Sequence, residues 1–310
     1  MYPLELEMYH HMKNVIGIDP SFYEYILMVD ADTLIAPDGL NRLVAASVDD
    51  PSTIAVCGET LIENEKQSVW TMVQVYEYYI SHNLAKAFES FFGSVTCLPG
   101  CFSMYRLRSS DKGRPLFISD KIIDDYAENR VDTLHKKNLL ALGEDRYLTT
   151  LLLKHFPLYR TRYRHDAKAM TAAPDSLSVL LSQRRRWINS TVHNLMELML
   201  VRDLCGTFCF SMQFVVLMDL IGTLVLPVAI SLTYYLIVSS IVNPPHDFTS
   251  AIPLIMLICV LFLPGFVITA IRFRPQMIIW LIIYLIFLPV WNLILPAYSF
   301  WHFDDFTWGA

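Results

Sequence analysis

Apolar residues are distributed along this chain in two ways. Through residues 1–205 they mix closely with charged positions, as in a globular domain, whereas three later stretches are nearly free of charge. From Phe208 to Val242 the one carboxylate is Asp219; Ala251–Ile271 and Pro275–Trp301 carry no charge at all. Each stretch is long enough to cross roughly 30 Å of hydrocarbon as a helix. The pattern predicts three hydrophobic membrane segments, about 208–242, 251–271 and 275–298. Arginines before the first, with Arg272 and Arg274 after the second, favour the cytosolic side. Pro289 and Pro296 permit the third to kink or re-enter instead of spanning.

The first part reads as alternating strands and helices. "YEYILMVDADT" is continuously apolar from Tyr25 to Val29 and ends in acids, which predicts a strand buried on both faces of a parallel sheet. "PDGLNRLVAASV" predicts a helix opening at Pro37 and Asp38, and "TIAVCGE" a second buried strand. Ser68–Ser90 reads as one long helix, and "VTCLPGCFSMYR" as two short strands about a Pro-Gly turn. "GEDRYLTTLLLKHF" predicts a helix with Glu144 and Asp145 in its first turn. From Leu177 to Leu200, Leu181, Ile188, Val192, Leu195 and Met199 recur at helical spacing. Gln183, Arg186 and Trp187 share one face there, and the apolar run that follows suggests a helix lying on the membrane surface.

Composition narrows the class. The chain is 54% hydrophobic and 17% charged over 310 residues, too oily for an ordinary soluble domain. A net charge of −6 argues against nucleic acid as partner. Six cysteines include two C-x3-C pairs, Cys97/Cys101 and Cys205/Cys209, with nothing nearby to complete a zinc site. The opening "MYPLELEMYHHMKN" lacks a basic leader before an apolar core, so no signal peptide is expected.

Three groups of residues carry candidate chemistry. Asp30 and Asp32 follow a strand, where ligands of open α/β sheets bind, and two such carboxylates can hold a divalent metal bridging a pyrophosphate; acids also end strands as plain turn residues. Glu144-Asp145 can supply a general base for a sugar hydroxyl, or simply favour a helix start. "SQRRRWINST" offers arginines to diphosphate and a tryptophan face to a sugar. The same cluster also suits an orientation signal, an anionic-lipid contact or a solvated helix face.

In order along the chain, "VDADT", "QVYEY", "TCLPGCFSMYR", "GEDRYLTTLLL", "QRRRWINSTVHNL" and the terminal "DDFTWGA" resemble fungal-type chitin synthases, processive family-2 glycosyltransferases. The resemblance covers nearly the whole chain. It implies a partial glycosyltransferase-A-like α/β domain over 1–175, an amphipathic interface helix over 176–205, membrane segments over 206–301 and a Trp-Gly loop over 302–310. It implies that Asp32, with Asp30, binds Mg2+ or Mn2+ and the UDP diphosphate, and that Asp145, with Glu144 beside it, deprotonates the acceptor. Gln183, Arg184, Arg186 and Trp187 would contact diphosphate and acceptor sugar. Gln74, Glu77, Tyr78, Gly100 and Cys101 would shape the pockets, and Trp308 would sit on a loop near the site.

The activity so implied is transfer of N-acetylglucosamine from UDP-GlcNAc to a growing chitin chain. The expected setting is a multi-pass plasma-membrane protein with its catalytic domain cytosolic, in contact with lipid and compatible with a homo-oligomer. Family members carry upstream uridine-binding strands and continue past the Trp-Gly pair, so a fragment is expected. The alternatives are a non-catalytic membrane partner of an intact synthase, or a synthase of another β-linked polysaccharide.

Overall fold

The computed structural model describes residues 22–128, 131–201, 204, 212–244, 247–271 and 276–307. Its strands β1 (Tyr25–Val29), β2 (Leu34–Ile35), β3 (Thr53–Ile62), β4 (Phe102–Arg106) and β5 (Arg160–Thr171) form one sheet in the order β1-β4-β3-β5-β2. The sheet is mixed: β3 and β5 are parallel, and every other pairing is antiparallel. This corrects the expectation for Tyr25–Val29. That strand is antiparallel to β4 at the sheet's edge and only half-buried. Its apolar run packs Tyr25 and Leu27 against the core on one face and Met28 against the core on the other, while Ile26 and Val29 remain exposed. The central strand is β3, buried along almost its full length, as "TIAVCGE" predicts.

Helix α1 (Gly39–Asp49) covers one face, with Leu43 packed against Val56, Phe102 and Met104. The other face is covered by α6 (Glu144–His155), whose Leu148 and Leu152 meet Ile54, Ala55 and Tyr105. The long helix expected over Ser68–Ser90 is three pieces: α2 (Val69–Tyr79), a π-helical turn (Ile80–Ala85) and α3 (Lys86–Phe92). Ser68 starts it with a reciprocal cap, its hydroxyl accepting the Thr71 N–H at 3.2 Å while the Thr71 hydroxyl accepts the Ser68 N–H at 3.0 Å. Of the two strands expected in "VTCLPGCFSMYR" only β4 forms. Val95 instead exchanges hydrogen bonds with Thr161, its N–H donating to the Thr161 carbonyl and its carbonyl accepting from the Thr161 hydroxyl. Short helices α4 (Asp120–Tyr126) and α5 (Leu134–Leu142) precede α6, and α7 spans Leu177–Leu200 as its periodicity predicts.

Two of the following helices, α8 (Met212–Val242) and α9 (Phe248–Ile271), are long and apolar enough to cross a membrane, α9 counted over Phe248–Val267. The third apolar run is broken. Helix α10 (Gln276–Ile286) is followed by a π turn (Val290–Ile294) and α11 (Leu295–Trp301), and the two halves bend by 57°. Pro289, which has no N–H to continue the ladder, sits at the bend. The first half packs on α2 and the second on α7. Tyr284 of α10 lies 5.5 Å from Tyr76 of α2, and the Ser299 carbonyl of α11 accepts a hydrogen bond from Asn189 of α7 at 3.0 Å. The kink that Pro289 permits is therefore present, in a pair of helices that together remain long and apolar enough to form one broken span.

Candidate active site

The register of β1 on β4 places the residues after β1 beside the turn before β4. A side chain at Gly100 would project between two carboxylates, its first carbon 3.9 Å from Asp30 Oδ1 and 4.0 Å from Asp145 Oδ2. Asp145 is held by two backbone donors: Oδ2 accepts from the Gly100 N–H at 3.2 Å, and Oδ1 from the Arg146 N–H at 2.7 Å. Asp32 Oδ1 accepts from the Thr171 hydroxyl at 3.4 Å. Burial raises the Asp30 pKa above the ordinary carboxylate value, and the charges of Asp32 and Asp145 raise it further. Burial also raises Glu144; a backbone N–H opposes this and the Asp145 charge adds to it.

Helix α6 can begin here because Gly143 has no side chain. A carbon added there would lie 1.6 Å from Ser190 Oγ, so this glycine lets α6 and α7 meet. The contact brings both helices to the wall of one cavity of about 870 Å3. Asp30, Asp32, Tyr78, Gly100, Cys101, Glu144, Asp145, Gln183, Arg186 and Trp187 line it.

The remaining predicted residues stand elsewhere. Arg184 turns away toward α2, donating to Glu77 at 2.6 and 3.0 Å and to Gln74 at 3.3 Å. Its guanidinium also lies 4.4 Å from the Trp187 ring centroid, so the pair Arg184–Glu77 holds Trp187 from behind the cavity wall. Gln74 is pinned further by donating to the Pro174 carbonyl at 2.8 Å. Gln74, Glu77 and Arg184 thus form a support beside the cavity. Arg185 points a third way, pairing with Asp305 and donating to the Thr307 carbonyl at 2.7 Å. Trp308 lies outside the described residues.

The acid end suits a hard divalent cation. Asp30 and Asp32 offer oxygen donors, and the mutual repulsion that raises Asp30 is what such a cation relieves. Among the described residues no three His, Cys, Asp or Glu side chains gather to hold a metal unaided. Two carboxylates leave the remaining coordination positions of such a cation to other oxygen donors.

Several cavity residues were missed from the sequence: His82, Lys86, Glu89, Arg146 and Asn194. Two signals were available. Arg146 follows Glu144-Asp145 directly, and Asn194 continues the Gln183–Trp187 face two turns on.

A family model described as chitin synthase matches residues 1–310. The chain belongs to the chitin synthase family. It is 63% identical over 310 residues to Chitin synthase 6 of Mycosarcoma maydis, covering all of this chain and 26% of that protein. It is 59% identical over 311 residues to Chitin synthase A of Aspergillus oryzae, again in full, and 17% of that protein is covered. Chitin synthase 5 of Cryptococcus neoformans is 60% identical over 312 residues, with 16% covered. The chain thus spans about a quarter or less of these relatives' length. Among solved structures, a mannosyltransferase from Pyrobaculum calidifontis in complex with GDP-Man and Mn2+ superposes with a TM-score of 0.44 at 16% identity. That likeness covers 85% of this chain and 61% of the other.

Proposed function

We propose that this chain carries the transfer site of a chitin synthase. The reaction is transfer of N-acetylglucosamine from UDP-GlcNAc, with inversion, to the non-reducing end of a growing β-1,4 chain. One observation carries the reading: residues from three distant sequence blocks, Asp30/Asp32, Glu144/Asp145 and Gln183/Arg186/Trp187, line a single cavity.

The roles follow from position. Asp145, oriented by two backbone N–H groups, takes the proton of the acceptor 4-hydroxyl as its oxygen bonds to the sugar C1 and the bond to the diphosphate breaks. One displacement inverts the configuration, so no covalent enzyme intermediate forms and one base suffices. Asp30 and Asp32 would hold Mg2+ or Mn2+, which when bound neutralises charge on the departing diphosphate. Arg186 and Gln183, in the cavity wall, would bind that diphosphate, and Trp187 would pack against the acceptor sugar. Helices α8 and α9 fit a multi-pass plasma-membrane protein with this domain cytosolic. The test uses membranes containing the protein that carries this chain, supplied with labelled UDP-GlcNAc and Mg2+ or Mn2+. Chitinase-sensitive polymer is expected. No incorporation sinks the transferase reading, and equal use of another nucleotide sugar sinks the donor assignment.

A further inference from the structure

Asp145 is oriented in part by the Gly100 N–H, yet the turn that carries this N–H belongs to no strand, because β4 begins only at Phe102. The buried backbone groups before β4 therefore need partners of another kind. One partner is Thr149, on the second turn of α6. It is fully buried and does not line the cavity, so it touches neither sugar nor diphosphate there. Its hydroxyl donates to the Asp145 carbonyl, one helical turn back, at 2.9 Å. The oxygen keeps its lone pairs for accepting, and the fully buried Leu98 donates its N–H to them at 3.1 Å.

Three hydrogen bonds thus close a ring: the Gly100 N–H on the Asp145 carboxylate, the Leu98 N–H on Thr149, and Thr149 on the Asp145 carbonyl. Apart from that carboxylate, Thr149 is the one side-chain link, and the rest of the ring is backbone. Pro99 stiffens its middle through a fixed φ, and the Pro99 carbonyl accepts from the buried Ser103 hydroxyl at 2.6 Å. The next residue along the helix shows what is particular here. Thr150 is also buried and donates to the Arg146 carbonyl at 3.1 Å, the back-bond that helical hydroxyls commonly make. Among the described residues no N–H from another segment reaches the Thr150 hydroxyl. Thr149 makes the same back-bond and adds a second bond to a residue 51 positions earlier.

We propose that Thr149 is a positioning residue for the transfer: by fastening Leu98 to α6 it keeps the Gly100 N–H on the Asp145 carboxylate, and so sets the direction in which that carboxylate meets the acceptor hydroxyl. The proposal rests on the transferase reading above, with Asp145 as the base. A base acts only within hydrogen-bond reach of its proton, and a displacement of about 1 Å can cost about 10²-fold in rate.

The test uses membranes containing the protein that carries this chain, supplied with labelled UDP-GlcNAc and Mg2+. Thr149→Val keeps shape and burial but can neither accept from Leu98 nor donate to Asp145. Its kcat is expected to fall by about 10–10²-fold, with the KM for UDP-GlcNAc and the affinity for UDP within about twofold of the parent. Thr149→Ser keeps the hydroxyl and should bring kcat back to within about twofold. Thr150→Val removes only a back-bond and should also stay within about twofold. Should Thr149→Val fail to fold, as loss of UDP binding would reveal, Ser103→Ala carries the test. It releases the same turn at Pro99, and kcat should fall about three- to tenfold at unchanged KM. Equal losses in Thr149→Val and Thr150→Val would reduce Thr149 to a packing residue and overturn the proposal. A KM that rises as kcat falls would do the same, as would a Thr149→Ser no better than Thr149→Val. A parent protein that makes no polymer defeats the transferase reading itself. A parent that makes polymer, beside a Thr149→Val variant that makes as much, defeats only the role of Thr149.

Discussion

The acids and the arginines of this site are built in opposite ways. Asp30, Asp32, Glu144 and Asp145 stand at the ends of elements, just past β1 or in the first turn of α6, and all four line the cavity. Arg184, Arg185 and Arg186 lie in mid-helix, where each residue turns about 100° from the last. Three identical neighbours therefore take three jobs: Arg184 braces Trp187 through Glu77, Arg185 ties down the chain after α11, and Arg186 reaches the cavity. Adjacency in a motif is shared function at an element's end and divided function within a helix.

The sharpest way to break this contrast is at the acids. Asp145→Asn keeps size and removes basicity, so polymer formation should fall by about 10²–10⁴-fold, with UDP binding retained. Incorporation of labelled sugar measures the first and titration with UDP the second. Retained synthesis would remove Asp145 as the base. Arg184 should respond differently. Its side chain is 7% exposed and paired with a Glu77 that is 17% exposed, so Arg184→Ala leaves a largely buried carboxylate unpaired. A loss of about 3–5 kcal/mol is expected in detergent unfolding. Adding Glu77→Gln should recover part of it, which a diphosphate-binding role for Arg184 would not produce.

What the sequence disclosed follows the same division. Helix α7 and the start of α6 were legible because apolar spacing and terminal acids mark them locally. Strand β1 was misjudged because a half-buried edge strand can be as apolar as a central one, and its partner β4 is set by long-range pairing. The π turn at Ile80–Ala85 has no proline or glycine to announce it. The site blocks were legible as an ordered set, whereas the direction of each side chain was not. Gln74, Glu77 and Arg184 are joined by packing of α2 on α7, which no spacing encodes. Arg146 follows Glu144-Asp145 directly, but adjacency in the first turn of α6 does not fix which way each side chain points.

The meeting of α6 and α7 supplies a gentler test. Gly143→Ala places a carbon on Ser190 Oγ, so the helices must separate or Ser190 must turn. A cost of about 1–3 kcal/mol is expected, with a rise in the KM for the acceptor because α6 carries the base and α7 the tryptophan. Combining it with Ser190→Gly should restore most of both. A double variant no better than Gly143→Ala would place the constraint elsewhere.

The smallest effect is a displacement along the pH axis. Asp30 must ionise to hold a cation, and burial, then Asp32, then Asp145, disfavour that ionisation in the folded protein. Its contribution to stability is therefore full below its unfolded pKa and is lost as pH rises through the raised folded value. Metal binding has the opposite sense: it needs the ionised form, so it should weaken as pH falls, with a midpoint set by the raised Asp30 carboxyl. A bound cation competes with the proton, so raising Mg2+ or Mn2+ should carry that midpoint to lower pH. In Asp145→Asn one of the two opposing charges is gone, and the midpoint measured by metal titration should fall again although no polymer is made. A midpoint indifferent to both metal concentration and this substitution would separate Asp30 from the cation and leave the acid end without the repulsion that sets it apart from the arginines.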